Sequence, residues 1–536
     1  MSGRGRATPA RIVVAIAAVI AIVAALWQLH RATGDLIVSH ASVGQTPVTV
    51  VRQPSVTRAP VVVIAHGFAG SQQLMQPFAQ TLARNGYIAV TFDCTGHGRN
   101  PVTMVGDVDE PTKITGVLVD ELGRVTDYAR ALPQSDGRAA VLGHSMASDI
   151  VVRYGVAHPD VDATIAVSVF SKVATATSPR NLLVIVGALE PEMLIDEGLR
   201  IVNLSTGGGA VAGRTYGEFK AGTARRLALS SGVEHIGVLY SQDSMREALQ
   251  WMNESFGRQS SGWIDRRPIW LALLFGGLIA LAWPLSKLLP QAAQVPMGAS
   301  LTWRPLLIAA IVPAVLTPLI LWKAPTDFLI ILLGDYLTLH FLVYGALTAA
   351  ILLLIRWRGG AAPTHAHAVP HHQRGLERLD SLPDPAHPRV SNAALAIAAA
   401  AAIGYNIIGF GLPLDTYAFS FMPIEPRLHL IAAVACGTVP YFLTAEWMAH
   451  GAGGRRGAYA LAKFCFLASL AAAVALNLHK LFFLIIIVPA ILLLFIAFGL
   501  ISNWTYKATN HPLPGALANA ILFAWAIAVT FPMVIR

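Results

Sequence analysis

The chain has 536 residues, of which 54% are hydrophobic and 13% charged, with a formal net charge of +9. That balance, with a mean hydropathy of +0.56, excludes a purely soluble globular chain and points to membrane segments. The positive charge does not mark a nucleic-acid binder: Lys and Arg gather at the N-terminus and in loops between apolar runs, where insertion topology and anionic lipids account for them.

In chain order, the first apolar run is Ile12 to Trp27, behind a basic stretch with Arg4, Arg6 and Arg11. It closes in Leu26-Trp27-Gln28-Leu29-His30-Arg31 without an A-x-A-like site, which predicts an uncleaved signal anchor over 1–30 and a linker over 31–43. Ala59 to Ala65 reads as a buried strand entering the Gly-rich turn His66-Gly67-Phe68-Ala69-Gly70-Ser71. A helix from Met75 to Asn85, a strand from Tyr87 to Phe92 and the turn Asp93-Cys94-Thr95-Gly96-His97-Gly98 follow, the alternation of a parallel sheet.

The apolar run Ala139 to Leu142 leads into Gly143-His144-Ser145-Met146-Ala147 and then a helical pattern. A serine at a sharp strand-to-helix turn needs tiny flanking residues, and Gly143 and Ala147 supply them, the second with one methyl more than the strict motif. Beyond it come strands at Ala163 to Phe170 and Asn181 to Val186, the latter ending in Gly187-Ala188-Leu189-Glu190. A strand at Arg226 to Ser230, a loop with Glu234 and His235, and an amphipathic helix Ser244 to Phe256 complete the region. Ser145, Glu190 and His235 thus occur in the order nucleophile, acid, base.

On these residues the segment 44–257 resembles an α/β-hydrolase of the esterase, lipase and serine-aminopeptidase type. The resemblance implies a mostly parallel sheet flanked by helices and a triad of Ser145, His235 and Glu190, with Glu192, Asp196 and Glu234 as rivals for the acid. It also implies an oxyanion hole from the N–H groups of Phe68 and Met146. A serine hydroxyl needs a neighbouring base at neutral pH, and a histidine with its ordinary pKa near 6.5 suits that task. His66, Gly67, Gly143, His144 and Ala147 are expected to support the motifs structurally, as is His97, with Asp93 tying the turn it opens. The short connection from Phe170 to Asn181 predicts a lidless, open site. The stretch Pro191 to Lys220 reads as a helix and loop, with a small flap as the other reading.

After residue 268 the pattern is that of an all-α transmembrane bundle. Apolar runs at Ile269 to Leu289, Pro305 to Trp322, Phe328 to Ile355, Ala393 to Leu412, Leu428 to Trp447, Ala458 to Leu478, Leu481 to Ile501 and Ala516 to Ile535 give about eight helices, each near the roughly 20 residues a bilayer requires. The fourth run is too long for one simple span and is read as beginning with an interfacial helix. A His/Pro-rich loop lies at 357–391. Its tract Thr364 to His372 is not read as a metal site, since a loop lacks a fixed second shell, and no metal or cofactor is expected.

With a cytoplasmic N-terminus, Arg356, Arg358, Arg374, Arg378, Arg455, Arg456 and Lys507 fall on the inner side. The hydrolase segment is then extracytoplasmic, in a multi-pass protein of the cytoplasmic membrane. Cys94 stands alone in that segment and Cys436 and Cys465 lie in apolar runs, so no disulfide joins the hydrolase. Asp335, His340, Asp415, Glu425, His479 and Lys480 are expected at the membrane interface, solvated; the other reading makes them a polar cluster beneath the hydrolase.

The function expected is cleavage of carboxylic esters through an acyl-enzyme, on lipidic or amphiphilic small molecules, with membrane lipids as surroundings. Thioesterase and peptidase chemistry use the same triad. The alternative is a transporter or acyl-transfer membrane protein with an accessory outer hydrolase domain. Oligomeric state is not legible.

Overall fold

The structure, a computed structural model, describes residues 8–106, 111–358 and 389–535. Arg4, Arg6, Arg374, Arg378 and the histidine tract at 364–372 lie outside the described residues. Helix α1 (Pro9–Thr33) precedes a sheet of β1 (Ile37–Val43), β2 (Thr46–Arg52), β3 (Ala59–Ala65), β4 (Ile88–Phe92), β6 (Ser135–His144), β7 (Ala163–Val167), β8 (Leu182–Gly187) and β9 (Arg225–Ser230). The strand β5 (Met104–Val105) stands apart. The sheet order is β1-β2-β4-β3-β6-β7-β8-β9, with an antiparallel hairpin at one edge and parallel pairing from β4 onward.

Every residue of β3, β4, β7 and β8 is buried. Parallel strands covered by helices on both faces need such continuous apolar runs. The covering helices are α2 (Gln76–Arg84), α3 (Pro111–Arg130), α4 (Met146–Ala157), α5 (Glu192–Thr206) and α6 (Gln242–Phe256). One face of the sheet packs Val62, Ile64 and Leu142 against Phe78, Met252 and Phe256, and the other packs Val61, Val63 and Val141 against Leu122 and Ile150. Because the inner strands run the same way, the turns after β3, β4, β6, β7, β8 and β9 meet along one edge, where sites in such sheets form.

The rest is helical: α7 (Arg267–Leu285), α8 (Trp303–Leu321), α9 (Gly334–Arg358), α10 (Asn392–Gly404) continuing through a π-helical stretch (Tyr405–Phe410) into α11 (Gly411–Tyr417), α12 (Glu425–Ala449), α13 (Ala458–Leu476), the short α14 (Leu478–Leu481), α15 (Leu484–Thr509) and α16 (Leu513–Thr530). Among the described residues, nine helices are long and apolar enough to cross a membrane, one N-terminal to the sheet. Small residues set their contacts, as expected where lipid removes the hydrophobic drive between helices. A Cβ on Gly277 would come within 2.8 Å of Ile22, so α1 and α7 approach closely. A Cβ on Gly345 would lie 2.6 Å from the Tyr441 nitrogen, and one on Gly437 would overlap the Thr338 carbonyl, so two glycines fix the α9–α12 crossing.

Two helix boundaries differ from the sequence reading. The run from Phe328 does not open as an interfacial helix: Ile331 bridges to Met533 and Leu333 has φ +67°, and helix begins only at Gly334. The last run stops at Thr530, ahead of Pro532, which cannot continue a helix; the chain then forms β10 (Val534–Ile535), parallel to β5.

That terminal strand is one of several ties between sheet and bundle. Met533 N–H donates to the Gly96 carbonyl at 2.8 Å, and Met104 N–H to the Met533 carbonyl at 3.0 Å. Ser420 N–H donates to Ser71 Oγ at 2.9 Å, and Arg99 pairs with Asp415 at 2.5 Å. Arg427, fully buried on the first turn of α12, donates to the carbonyls of Ala528 (2.7 Å), Phe531 (2.9 Å) and Gly96 (2.8 Å). One guanidinium thus serves both halves.

Arg427→Met keeps the apolar stem and strips the Ala528 and Phe531 carbonyls of this donor, at about 1–3 kcal/mol for each group left unpaired, while the Gly96 carbonyl keeps Met533 N–H. The detergent-solubilised full chain should melt several degrees lower, and an unchanged melting curve would show that the clamp contributes nothing.

Candidate active site

The turn after β6 carries Ser145 in a left-handed backbone conformation, φ 54° and ψ −116°. Such strain persists only where surroundings enforce it. A Cβ on Gly143 would overlap the Ala147 carbonyl, and one on Gly67 would stand 2.9 Å from the Ser145 Cβ. Strand, helix and the turn after β3 therefore converge where only glycine fits. Ser145 N–H donates to the Val167 carbonyl at 2.8 Å, and Ser148 Oγ donates to the Ser145 carbonyl at 2.6 Å, fixing the turn from both sides.

The three residues spaced along the sequence meet at this edge. His235 Nε2 lies 2.9 Å from Ser145 Oγ and His235 Nδ1 lies 2.6 Å from Glu190 Oε2. Glu190 is buried, and its other oxygen accepts from Ser168 Oγ and Gly187 N–H, both at 2.8 Å. Two further donors thus hold the carboxylate beside the imidazole, which leaves Nδ1 as donor and Nε2 as acceptor toward the serine hydroxyl. Among the rivals, Glu234 instead accepts from the N–H groups of Ile236 and Gly237, shaping its own turn. A Cβ on Gly187 would fall 2.5 Å from the Val233 carbonyl, so this glycine lets the acid strand approach the histidine loop.

Met146 opens α4 directly after the nucleophile, and Phe68 follows the Gly67 that abuts Ser145. Among the described residues, neither backbone N–H has a hydrogen-bond partner. Two free donors beside the nucleophile can meet an oxyanion.

The residues around these three hold the turns together by hydrogen bonds. His66 donates from Nδ1 to the Gly67 carbonyl at 2.8 Å and accepts at Nε2 from Cys94 N–H at 3.1 Å. His144 Nε2 donates to the His235 carbonyl at 2.9 Å, tying the base loop to the end of β6. Asp93 accepts from the N–H groups of Gln72 and Arg99 and so closes the turn it begins. Sequence reasoning missed Glu121, buried on α3, which accepts from Thr46, Thr95 and Asn100. Nothing local in α3 marks it, because its partners come from distant strands and turns.

The open site expected from the short Phe170 to Asn181 connection is bounded by the helical half. Phe68 stacks on Phe483 with ring centroids 4.4 Å apart, and Met104 joins the apolar core of α9, α12, α13 and α16. The polar residues of that half divide. Asp335 and His340 are buried rather than solvated, Asp415 is engaged by Arg99, and Glu425 and His479 are exposed.

Residues 57–212 match the family model of serine aminopeptidase, S33. This is an α/β-hydrolase domain. The match stops short of His235, whose placement rests on the geometry above. Among solved structures, the chain is similar to a putative dienelactone hydrolase from Klebsiella pneumoniae subsp. pneumoniae (15% identity, 42% of this chain and 99% of that one, TM-score 0.31). It is also similar to a predicted CIB-like hydrolase from Thermoplasma acidophilum (17%, 40% and 97%, 0.31) and to a putative lipase from Acinetobacter baumannii (14%, 42% and 93%, 0.30).

Burial, reinforced by neighbouring imidazoles, pushes His97 and His144 of the hydrolase domain down to about 3, and burial also lowers His66. Unfolded, these groups take up protons near pH 6.5, whereas folded they do not. Their contribution is therefore intact above pH 6.5 and lost as pH falls from there toward 3. Replacing His97 by Asn should flatten the acid limb of stability by up to about 1.4 kcal/mol per pH unit. Melting temperatures of both forms across that range check it; parallel curves would contradict it.

Proposed function

We propose that the chain is a membrane-embedded serine hydrolase that cleaves carboxylic esters of amphiphilic, lipid-like substrates. The observation that carries this reading is the continuous relay from Ser145 Oγ through His235 to Glu190, at 2.9 and 2.6 Å. Ser145 Oγ attacks the acyl carbon as its proton passes to His235 Nε2, and Glu190 stabilises the imidazolium. The N–H groups of Met146 and Phe68 hold the oxyanion, a contribution of about 3 kcal/mol per donor. His235 then protonates the leaving alcohol, and in the second half it takes a proton from water as the acyl-enzyme hydrolyses.

The amphiphilic substrate class is supported by the position of the catalytic edge against the helices, through Phe68 and Phe483. Exposed apolar side chains at Phe170, Leu189 and Ile236 stand beside the site residues in sequence. Such a rim favours an acyl chain over a charged peptide. In this reading 44–257 is the catalytic domain, anchored by 1–30 and followed by the polytopic domain from 268. Arg356, Arg358, Arg455, Arg456 and Lys507 lie at helix ends remote from the sheet, which supports a cytoplasmic location for those ends and an extracytoplasmic hydrolase.

Turnover of a p-nitrophenyl ester series by the purified full-length chain tests the chemistry. Ser145→Ala should lower kcat by about 10⁶-fold and Glu190→Gln by about 10⁴-fold, and wild-type kcat/KM should rise with acyl length. Full activity in Ser145→Ala would overturn the mechanism, and a preference for acetyl over longer chains would overturn the substrate class.

A further inference from the structure

A second polar site lies in the helical half, far from the triad. Lys463, on the second turn of α13, is 5% exposed, and its Nζ has no hydrogen-bond partner among the described residues. The rings of Phe442, Tyr441, Tyr459 and Phe495 surround that nitrogen at 4.6, 4.7, 5.0 and 5.1 Å. An aromatic cage attracts the cation yet leaves its three N–H donors unfilled. Glu446 of α12 balances this charge and is buried too, with Oε2 3.5 Å from His450 Nδ1.

Beside Lys463, between α13 and α15, lies a cavity of about 790 Å³, within the usual range of about 300–1,000 Å³ for small-molecule sites. Arg455, Arg456 and Lys507 line it above Lys463, and among the described residues no carboxylate lines it. Its flank is apolar and open to the outside at Phe464, Leu492 and Ile496. A Cβ on Gly499 would come within 2.6 Å of the Tyr459 ring, so glycine there lets the tyrosine lie against α15. The cavity opens near His450, at the end of α12 opposite Glu425. Twenty-five residues of helix separate the two by roughly 36 Å, enough to cross a bilayer core of about 30 Å.

We propose that this cleft binds one anionic phospholipid from the leaflet remote from the hydrolase domain. Its phosphate lies among Arg455, Arg456, Lys507 and the Lys463 ammonium, and its acyl chains lie along Phe464, Leu492 and Ile496. Three cations at the mouth, with no ion-pair partner among the described residues, select negative charge. The open apolar flank selects a lipid over a free anion, because a soluble ion would leave that wall unused. The inference does not depend on the esterase reading.

The test is native mass spectrometry of the full-length chain released from vesicles of phosphatidylglycerol and phosphatidylcholine with identical acyl chains. Wild type should retain one phosphatidylglycerol with about a 10-fold preference over phosphatidylcholine. Arg455→Gln with Arg456→Gln, at exposed positions that leave packing alone, should abolish the preference, and Lys463→Met should weaken retention. Ser145→Ala should retain the lipid as wild type does. Equal retention of both lipids, an unchanged preference in the double variant, or displacement of the lipid by millimolar inorganic phosphate would each overturn the proposal.

Discussion

The active site depends on a crowded crossing of three backbone segments at Ser145. The turn after β3, the end of β6 and the start of α4 approach so closely that Gly67 and Gly143 admit no side chain, and the serine between them takes a strained left-handed conformation. Because the strain raises Ser145 out of the sheet edge, its hydroxyl meets His235 while the adjacent Met146 N–H faces outward from a helix start. The same approach brings Phe68 to the nucleophile. The Ser145–His235 contact and the two neighbouring N–H groups thus follow from one steric constraint.

That crossing is also joined to the bundle. Phe68 reaches Phe483 on one side, while the turn after β4 delivers the Gly96 carbonyl to Arg427 and to the returning strand at Met533. The hydrolase domain is therefore docked by the edge that carries Ser145, a more specific arrangement than a domain tethered by a flexible linker.

Much of this was legible in the sequence because it is local. The buried run Ala59 to Ala65, the small residues around Ser145 and the strand-end position of Glu190 each express a constraint within a few residues, and each falls where the reading put it. Helix existence was equally legible, since a bilayer demands long apolar runs. What escaped was long-range. Arg427 reads as one more charge near a helix start, yet it pairs with carbonyls about a hundred and more than three hundred residues away in the chain. The terminal strand was hidden within an apolar run, and Glu121, Glu446 and Lys463 have partners or neighbours that no periodicity connects. The helices that bound the site on one side were not legible, because they come from the bundle rather than from an insertion in the sheet domain.

The most direct measurement is fluorophosphonate labelling of the full-length chain in native membranes, with the adduct located by peptide mass spectrometry. A strained, base-activated nucleophile predicts a single adduct on Ser145 that disappears on heat denaturation and in His235→Ala. Absence of any adduct, labelling at another serine, or equal labelling of the denatured chain would contradict the account.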